Sequence, residues 1–182
     1  METLKIDSTD IYLVDGERVG QGKITVSDGY RGAFTTSWGA MGSNLSEFLC
    51  GINEYYFADN MLGTVSSQVF DGKRSVTNIR KHIREELSYE LPWYIFMSAQ
   101  KEMRQELKEL EYSNNESEFL HACENITDRI HCIDLTYNEE MDFKNIIRSI
   151  FDTEPWNFIA TKPSTTYLWL CELHRKLKKH LR

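Results

Sequence analysis

The chain has 182 residues, of which 41% are hydrophobic and 12% aromatic, enough for a buried core and too many for a disordered segment. No apolar run approaches the roughly 18 residues of a membrane span, and Met1 to Asp7 lacks the basic and apolar regions of a secretory leader, so a cytoplasmic location is expected. The formal net charge is −7, unevenly placed: residues 1–72 carry 4 Lys/Arg against 10 Asp/Glu, residues 113–163 repeat that balance, and the last 19 residues carry 5 against 1. Acidic faces disfavour nucleic acid, whereas a basic C-terminal helix is compatible with it.

In chain order, Leu4 to Asp7 and Ile11 to Val14 read as strands, with Asp15-Gly16 as a turn after the second. Gly22 to Val26 alternates apolar with polar, and Asp28-Gly29 turns the chain into a strand from Gly32 to Trp38. Gly39 and Gly42 mark a sharp corner. Asn44 with Glu47 reads as a capping box opening one amphipathic helix, whose stripe is Leu45, Phe48, Leu49, Ile52, Tyr55 and Tyr56. Asn60 to Phe70 is looser, Asp71 to Lys73 is a turn, and Ser75 is placed to cap a helix with Val76, Ile79, Ile83 and Leu87 inside. Leu91-Pro92-Trp93 breaks that helix and starts another to Tyr112, apolar and buried in front, charged and solvated behind.

Ser117 opens a short helix through Phe119, Leu120, Cys123 and Ile126. Residues 127–138, with Ile130, Ile133, Leu135 and Tyr137, suit either a strand or an irregular packed segment. Glu139 to Phe151 reads as a helix, Thr153 to Pro163 as a linker, and Ser164 as the cap of a final helix with Leu168, Cys171, Leu177 and Leu181 inside. The expectation is α+β: an N-terminal antiparallel sheet of about three or four strands packed by an amphipathic helix, then a mostly helical part. A single domain over 1–182 is expected, with the sheet and first helix in 1–72 and the helical part in 73–182.

Three clusters bear on chemistry. His121, Cys123, His131 and Cys132 are soft ligands within twelve residues, but their spacing is not that of a zinc finger and Cys123 falls on an apolar stripe, so buried thiols are favoured over a metal. His82 with Glu85 suits a solvated helix face better than acid–base work, and Glu139, Glu140 and Asp142 suit a helix first turn better than magnesium. The Walker loop, the nucleophile elbow and the deaminase pattern are absent, so no catalytic residue and no cofactor is assigned. Two surface features remain. Arg175, Lys176, Lys178, Lys179 and Arg182 form a basic run suited to a nucleic acid or an acidic partner, and Tyr30, Trp38, Tyr55 and Tyr56 are aromatic anchors of the kind protein interfaces use.

The order Ile24 to Tyr30, Trp38-Gly-Ala-Met-Gly42, Phe48-Leu49, Tyr55-Tyr56, Phe70-Asp71-Gly72, Ile79 to Ile83, Ser117 to Leu120 and Trp156 to Pro163 resembles a widespread family of small proteins encoded by phages and prophages. The resemblance extends to type II-A anti-CRISPR proteins. It implies an inhibitor that binds a CRISPR-associated RNA-guided DNA endonuclease with its guide RNA, so that target DNA is not productively engaged. It carries over no contact residue. A DNA-binding phage regulator using the C-terminal helix and a metal-dependent enzyme using the His/Cys cluster are the alternatives.

Overall fold

The structure, a computed structural model, describes residues 1–90, 92–130, 135–153 and 155–182, with side-chain surroundings for all of these except 86–90, 93, 96, 98, 99, 152 and 153. In chain order the elements are β1 (Glu2–Ile6), β2 (Thr9–Asp15), β3 (Gly22–Asp28), β4 (Gly32–Trp38), α1 (Leu45–Gly51), α2 (Glu54–Leu62) and β5 (Gln68–Phe70). They continue with α3 (Gly72–Glu90), α4 (Trp93–Leu110), α5 (Glu116–Glu124), α6 (Ile126–Arg129), α7 (Tyr137–Thr153), a 3₁₀ turn (Pro155–Phe158), β6 (Thr161–Pro163) and α8 (Thr165–His180). The fold is α+β, as the alternating N-terminal pattern and the later helical stripes lead one to expect.

Two compact units are present: Met1–Val69 with Pro163–Arg182, and Phe70–Lys162. The boundary near residue 70 is close to the expected cut, but α8 returns to the first unit. β5 and β6, where the chain leaves the first unit and re-enters it, pair as a separate two-stranded sheet.

In the first unit β1 to β4 form an antiparallel meander in sequence order. Period-2 alternation sends Ile11, Leu13, Ile24, Val26 and Trp38 inward, where they meet Leu45, Leu49, Phe57, Ala58, Met61, Leu170, Leu173 and Leu177. The register pairs Ile11 with Val26 and Leu13 with Ile24, so each inner side chain has an apolar neighbour across the strands. The opposite face is polar, with Thr25 and Thr35 hydrogen-bonded across β3 and β4 at 3.0 Å. Gly22 lies on the inner face, where a Cβ would come within 3.1 Å of the Leu45 side chain and 2.9 Å of Met41 Cε; only glycine lets α1 sit this close. Gly42 has φ +75° at the corner before α1.

Several local expectations are corrected. β1 ends at Ile6, because Ile6 pairs with Thr9 and Asp7, at φ +55°, begins a two-residue turn. The single aromatic helix is two helices: Ile52 is extended, and Asn53 starts α2 by accepting from the Tyr56 amide at 2.8 Å. This resets the phase, so Phe57, Ala58 and Met61 face the core while Tyr55 and Tyr56 face outward.

The second unit is built on Val76, Ile79, Ile83, Met103, Leu107, Leu110, Phe119, Cys123, Ile126, Ile130, Phe143, Ile147 and Phe151. Ser75 is not a cap. Asp71 caps α3 by accepting from the Arg74 amide at 3.3 Å, and Ser75 is wholly buried one turn in. Its hydroxyl donates to Asp71 O at 2.9 Å and accepts from the Ala160 amide at 2.8 Å. In α4 the expected split between a buried front and a solvated rear does not hold: near its start Ile95 is buried but Tyr94 and Met97 are exposed, and in the rear half Met103, Leu107 and Leu110 are buried. Those three recur at i, i+4 and i+7, so the charges of the rear half sit on the other face of an ordinary amphipathic helix. Asn115, not Ser117, caps α5. Tyr137 is the exposed first residue of α7 rather than part of a strand, and Leu168 is exposed on α8. Ile133 and Leu91 lie outside the described residues.

Ser75→Ala leaves the buried Ala160 amide without an acceptor, and should lower unfolding free energy by about 1–3 kcal/mol in urea titrations. Thr77→Ala, which removes an exposed bond to Lys73 O, should change it by less than about 0.5 kcal/mol.

Candidate functional site

The final helix decides what the basic run is available for. Ser164 opens α8 as expected, its hydroxyl accepting from the Tyr167 amide at 3.1 Å. Leu170, Leu173, His174 and Leu177 fall at i, i+3, i+4 and i+7 and are all buried. His174 therefore belongs to the apolar stripe and not to the surface charge. Its Nε2–H donates to Leu49 O at 2.9 Å, and its ring stacks on Phe57 at 4.6 Å with 16° between the planes. Nδ1 is buried with no partner among the described residues. Burial holds the ring's pKa below the usual histidine range, aided by the nearby Lys178 charge and opposed by the Leu49 bond and Glu54.

The basic residues that flank this stripe reach back onto their own unit. The Arg175 guanidinium donates twice to Glu54 Oε1, at 3.0 and 3.1 Å. Lys176 Nζ lies 2.8 Å from Asp7 and 3.1 Å from Glu172. Lys178 donates to Ile52 O, the carbonyl left free where α1 ends. Lys179 and Arg182 are exposed and have no such partner among the described residues. Of the five cations expected to form a binding face, three thus hold the last helix to the first half of the chain.

The four aromatic candidates divide as well. Tyr30 is 92% exposed, Tyr55 57% and Tyr56 44%, while Trp38 is a core residue tilted against Phe48 at 5.2 Å. Tyr30 sits at the tip of the β3–β4 hairpin, which Asp28 fixes. The Asp28 carboxylate accepts from the Arg31 amide at 2.9 Å, the Tyr30 amide at 3.1 Å and the Thr9 hydroxyl at 3.2 Å. The Arg31 amide bond, followed by those of Tyr30 and Thr9, keeps this buried carboxyl ionised and its pKa below the ordinary value. Arg31 in turn lies over Trp169 at 5.0 Å and over Tyr30 at 5.7 Å, a cation–aromatic stack with no periodic signature in the sequence. The arrangement can present rigid aromatic faces with hydroxyl tips to another molecule.

The remaining clusters are local. His121 is exposed beside Glu124 at 3.6 Å, whereas Cys123, two residues on, is fully buried, and burial pushes its thiol up to about 12. The two therefore point to different sides of α5, and His131 and Cys132 lie outside the described residues. Among the described residues no three His, Cys, Asp or Glu side chains are grouped to hold a metal ion. Glu139 is the reciprocal cap of α7: it accepts from the Thr136 amide at 2.9 Å, the Thr136 hydroxyl at 2.6 Å and the Tyr94 hydroxyl at 2.7 Å. Glu140 pairs with Lys144 at 2.8 Å. His82 packs its ring against Phe158 at 5.3 Å, and Glu85 lies 3.9 Å from Lys81. Among the described residues no helix is long and apolar enough to cross a membrane.

An α+β chain with a closed apolar core in each unit and tyrosines at its surface is the class that fold and surface define. All of it, residues 1–182, matches the model of a protein family described as a phage family, and the chain belongs to that family. No curated protein and no solved structure matches it.

His174 gives a pH test of the α8 contact. Its folded-state pKa lies below the unfolded value of about 6.5, so the unfolded chain binds the extra proton first. The His174 contribution is complete above that pH and is lost as pH falls toward the folded-state value. The urea midpoint should fall between pH 7.5 and 5.5, and His174→Leu should flatten that fall, as followed by tryptophan fluorescence.

Proposed function

We propose that this phage-family protein is a stoichiometric binding protein without catalytic turnover, and that it engages a protein partner through the tyrosine-bearing surface of its first unit. The observation that supports this is the exposure of Tyr30, Tyr55 and Tyr56 on elements held rigid by side-chain caps. Large aromatics with polar tips supply contact area at low entropic cost and are enriched among the residues that dominate binding energy. The partner class comes from the sequence resemblance: a type II CRISPR-associated endonuclease loaded with guide RNA, met in the cytoplasm of the infected host, with no cofactor required. The first unit, with α8 in place, is close to neutral at 9 Lys/Arg against 10 Asp/Glu, so aromatic contact rather than charge attraction carries the proposed binding to such a nuclease.

Duplex DNA as the direct ligand is the second reading. It loses weight because Arg175, Lys176 and Lys178 are engaged by Glu54, Asp7, Glu172 and Ile52 O, leaving Lys179 and Arg182 as the helix's outward cations.

The test is a cleavage assay in which guide-loaded nuclease is titrated with this protein before and after target DNA is added. Inhibition saturating near equimolar protein, with a complex on gel filtration, is the expected result. Tyr55→Ala with Tyr56→Ala, or Tyr30→Ala, should raise the half-inhibitory concentration at least tenfold without moving the urea midpoint. No complex and no inhibition at micromolar excess across several type II nucleases overturns the nuclease target. Unchanged binding by both the Tyr55/Tyr56 double variant and the Tyr30 variant overturns the surface.

A further inference from the structure

The second unit contains a groove that none of the functions weighed above uses. α3 and α4 run antiparallel: Gly72, the first residue of α3, lies against the Glu111 carbonyl just past the end of α4, and Arg80 in the middle of α3 pairs with the Glu111 carboxylate at 2.9 Å. Between them lies a cavity of about 390 Å³ lined by Arg80, Ile83, Arg84, Gln100, Met103, Arg104, Leu107 and Lys108. The floor, Ile83, Met103 and Leu107, is apolar and buried. Among the described residues the rim carries four cations and no acid.

Only part of that charge is answered locally. Arg80 has Glu111, and its Nε is buried without a partner among the described residues. Among the described residues Arg104 meets only the neutral Gln100 amide oxygen, at 3.2 Å. Arg84 and Lys108 have no hydrogen-bond or ion-pair partner among the described residues. In a chain of net charge −7, four cations around one apolar floor are not a general surface property.

From this geometry we infer that the α3–α4 groove binds a small molecule with an apolar body and one or two anionic groups. The body rests on Ile83, Met103 and Leu107, and the anion is held by Arg84 and Arg104, with Lys108 and Arg80 alongside. Guanidinium pairs suit carboxylate, sulfonate or phosphate oxygens. The size selects a small ligand over a docked helix. The volume falls within the range of small-molecule sites, and the lining spans two turns of α4, Gln100 to Lys108, about 12 Å of helix. This site lies wholly in the second unit and does not depend on the proposed nuclease binding.

The probe is 1-anilinonaphthalene-8-sulfonate, titrated by fluorescence against the full native chain, with its uncharged relative N-phenyl-1-naphthylamine and with sodium dodecanoate as competitor. The expected result is saturable binding of one sulfonate probe per chain, displaced by dodecanoate and weakened severalfold between 0.05 and 0.5 M salt. Amide shifts should concentrate at Ile83, Met103 and Leu107. Arg84→Glu with Arg104→Glu should weaken binding at least tenfold while the urea midpoint stays within error, because both side chains are exposed. Met103→Gln, a milder test of the floor, should weaken both probes together. Non-saturable binding, equal affinity for the uncharged probe, or full affinity in the double variant overturns the inference. So does binding of an acidic helical peptide by a groove that takes neither small anion.

Discussion

The first unit depends on a contact between residues far apart in sequence. His174, on the last helix, donates to the Leu49 carbonyl 125 residues earlier and stacks on Phe57, with Leu170, Leu173 and Leu177 completing the seal over the sheet. An antiparallel meander with one apolar face is not stable until that face is covered. α1 and α2 cover part of it and α8 the rest, so the unit cannot close until nearly the whole chain has been made. Each fully buried leucine on α8 contributes roughly 1.5–3 kcal/mol by removal from water, a sizeable share of the few kcal/mol by which a domain is usually stable. The second unit, Phe70–Lys162, is in effect an insertion between the sheet and its lid, with β5 and β6 pairing at the two crossings.

That arrangement changes the meaning of charge in this molecule. Five Lys/Arg in nineteen residues look like an anion-binding helix when only spacing is considered. In the fold Arg175, Lys176 and Lys178 face Glu54, Asp7 and the Ile52 carbonyl, and these three bring the basic end of the chain onto its acidic beginning. Each exposed pair is individually weak, yet the pairs orient α8 around a buried stripe that supplies the stability. With α8 in place the first unit is close to neutral, 9 Lys/Arg against 10 Asp/Glu, and its exposed tyrosines are its distinctive surface, while in the more acidic second unit a group of cations gathers between α3 and α4. The surface proposed for a protein partner in the first unit and the groove proposed for a small anion in the second differ in chemistry, and neither proposal depends on the other.

The sheet was legible because period-2 alternation and the Asp28-Gly29 turn are local signals, and the caps Asn44 and Ser164 were legible for the same reason. What was not legible arose where two local signals competed or where the partner was remote. Asn53 was hidden inside a stripe that reads continuously through it, although an Asn two residues after Gly51 is a restart signal in itself. Ser75 and Asp71 are both good caps, and only the distant Ala160 amide decides that Ser75 goes inside. In α4 the apolar front residues are adjacent rather than periodic, whereas Met103, Leu107 and Leu110 keep the stripe through a charged background; periodicity outranks local hydropathy there. His174 adjoins the basic run in sequence, but its i+4 relation to Leu170 places it on the buried face. The α3–α4 groove needs two helices side by side and had no signature in either alone.

The most direct test of this account is native-state hydrogen exchange on the intact chain, read residue by residue as denaturant is raised. If α8 is the lid of the first unit, the amides of Leu173, His174 and Leu177 should exchange with the same opening free energy and denaturant dependence as those of Ile11, Ile24 and Val26. If α8 amides instead open at low free energy while the sheet stays protected, the helix is a peripheral arm, its cations are free for other ligands, and the account of the first unit is wrong.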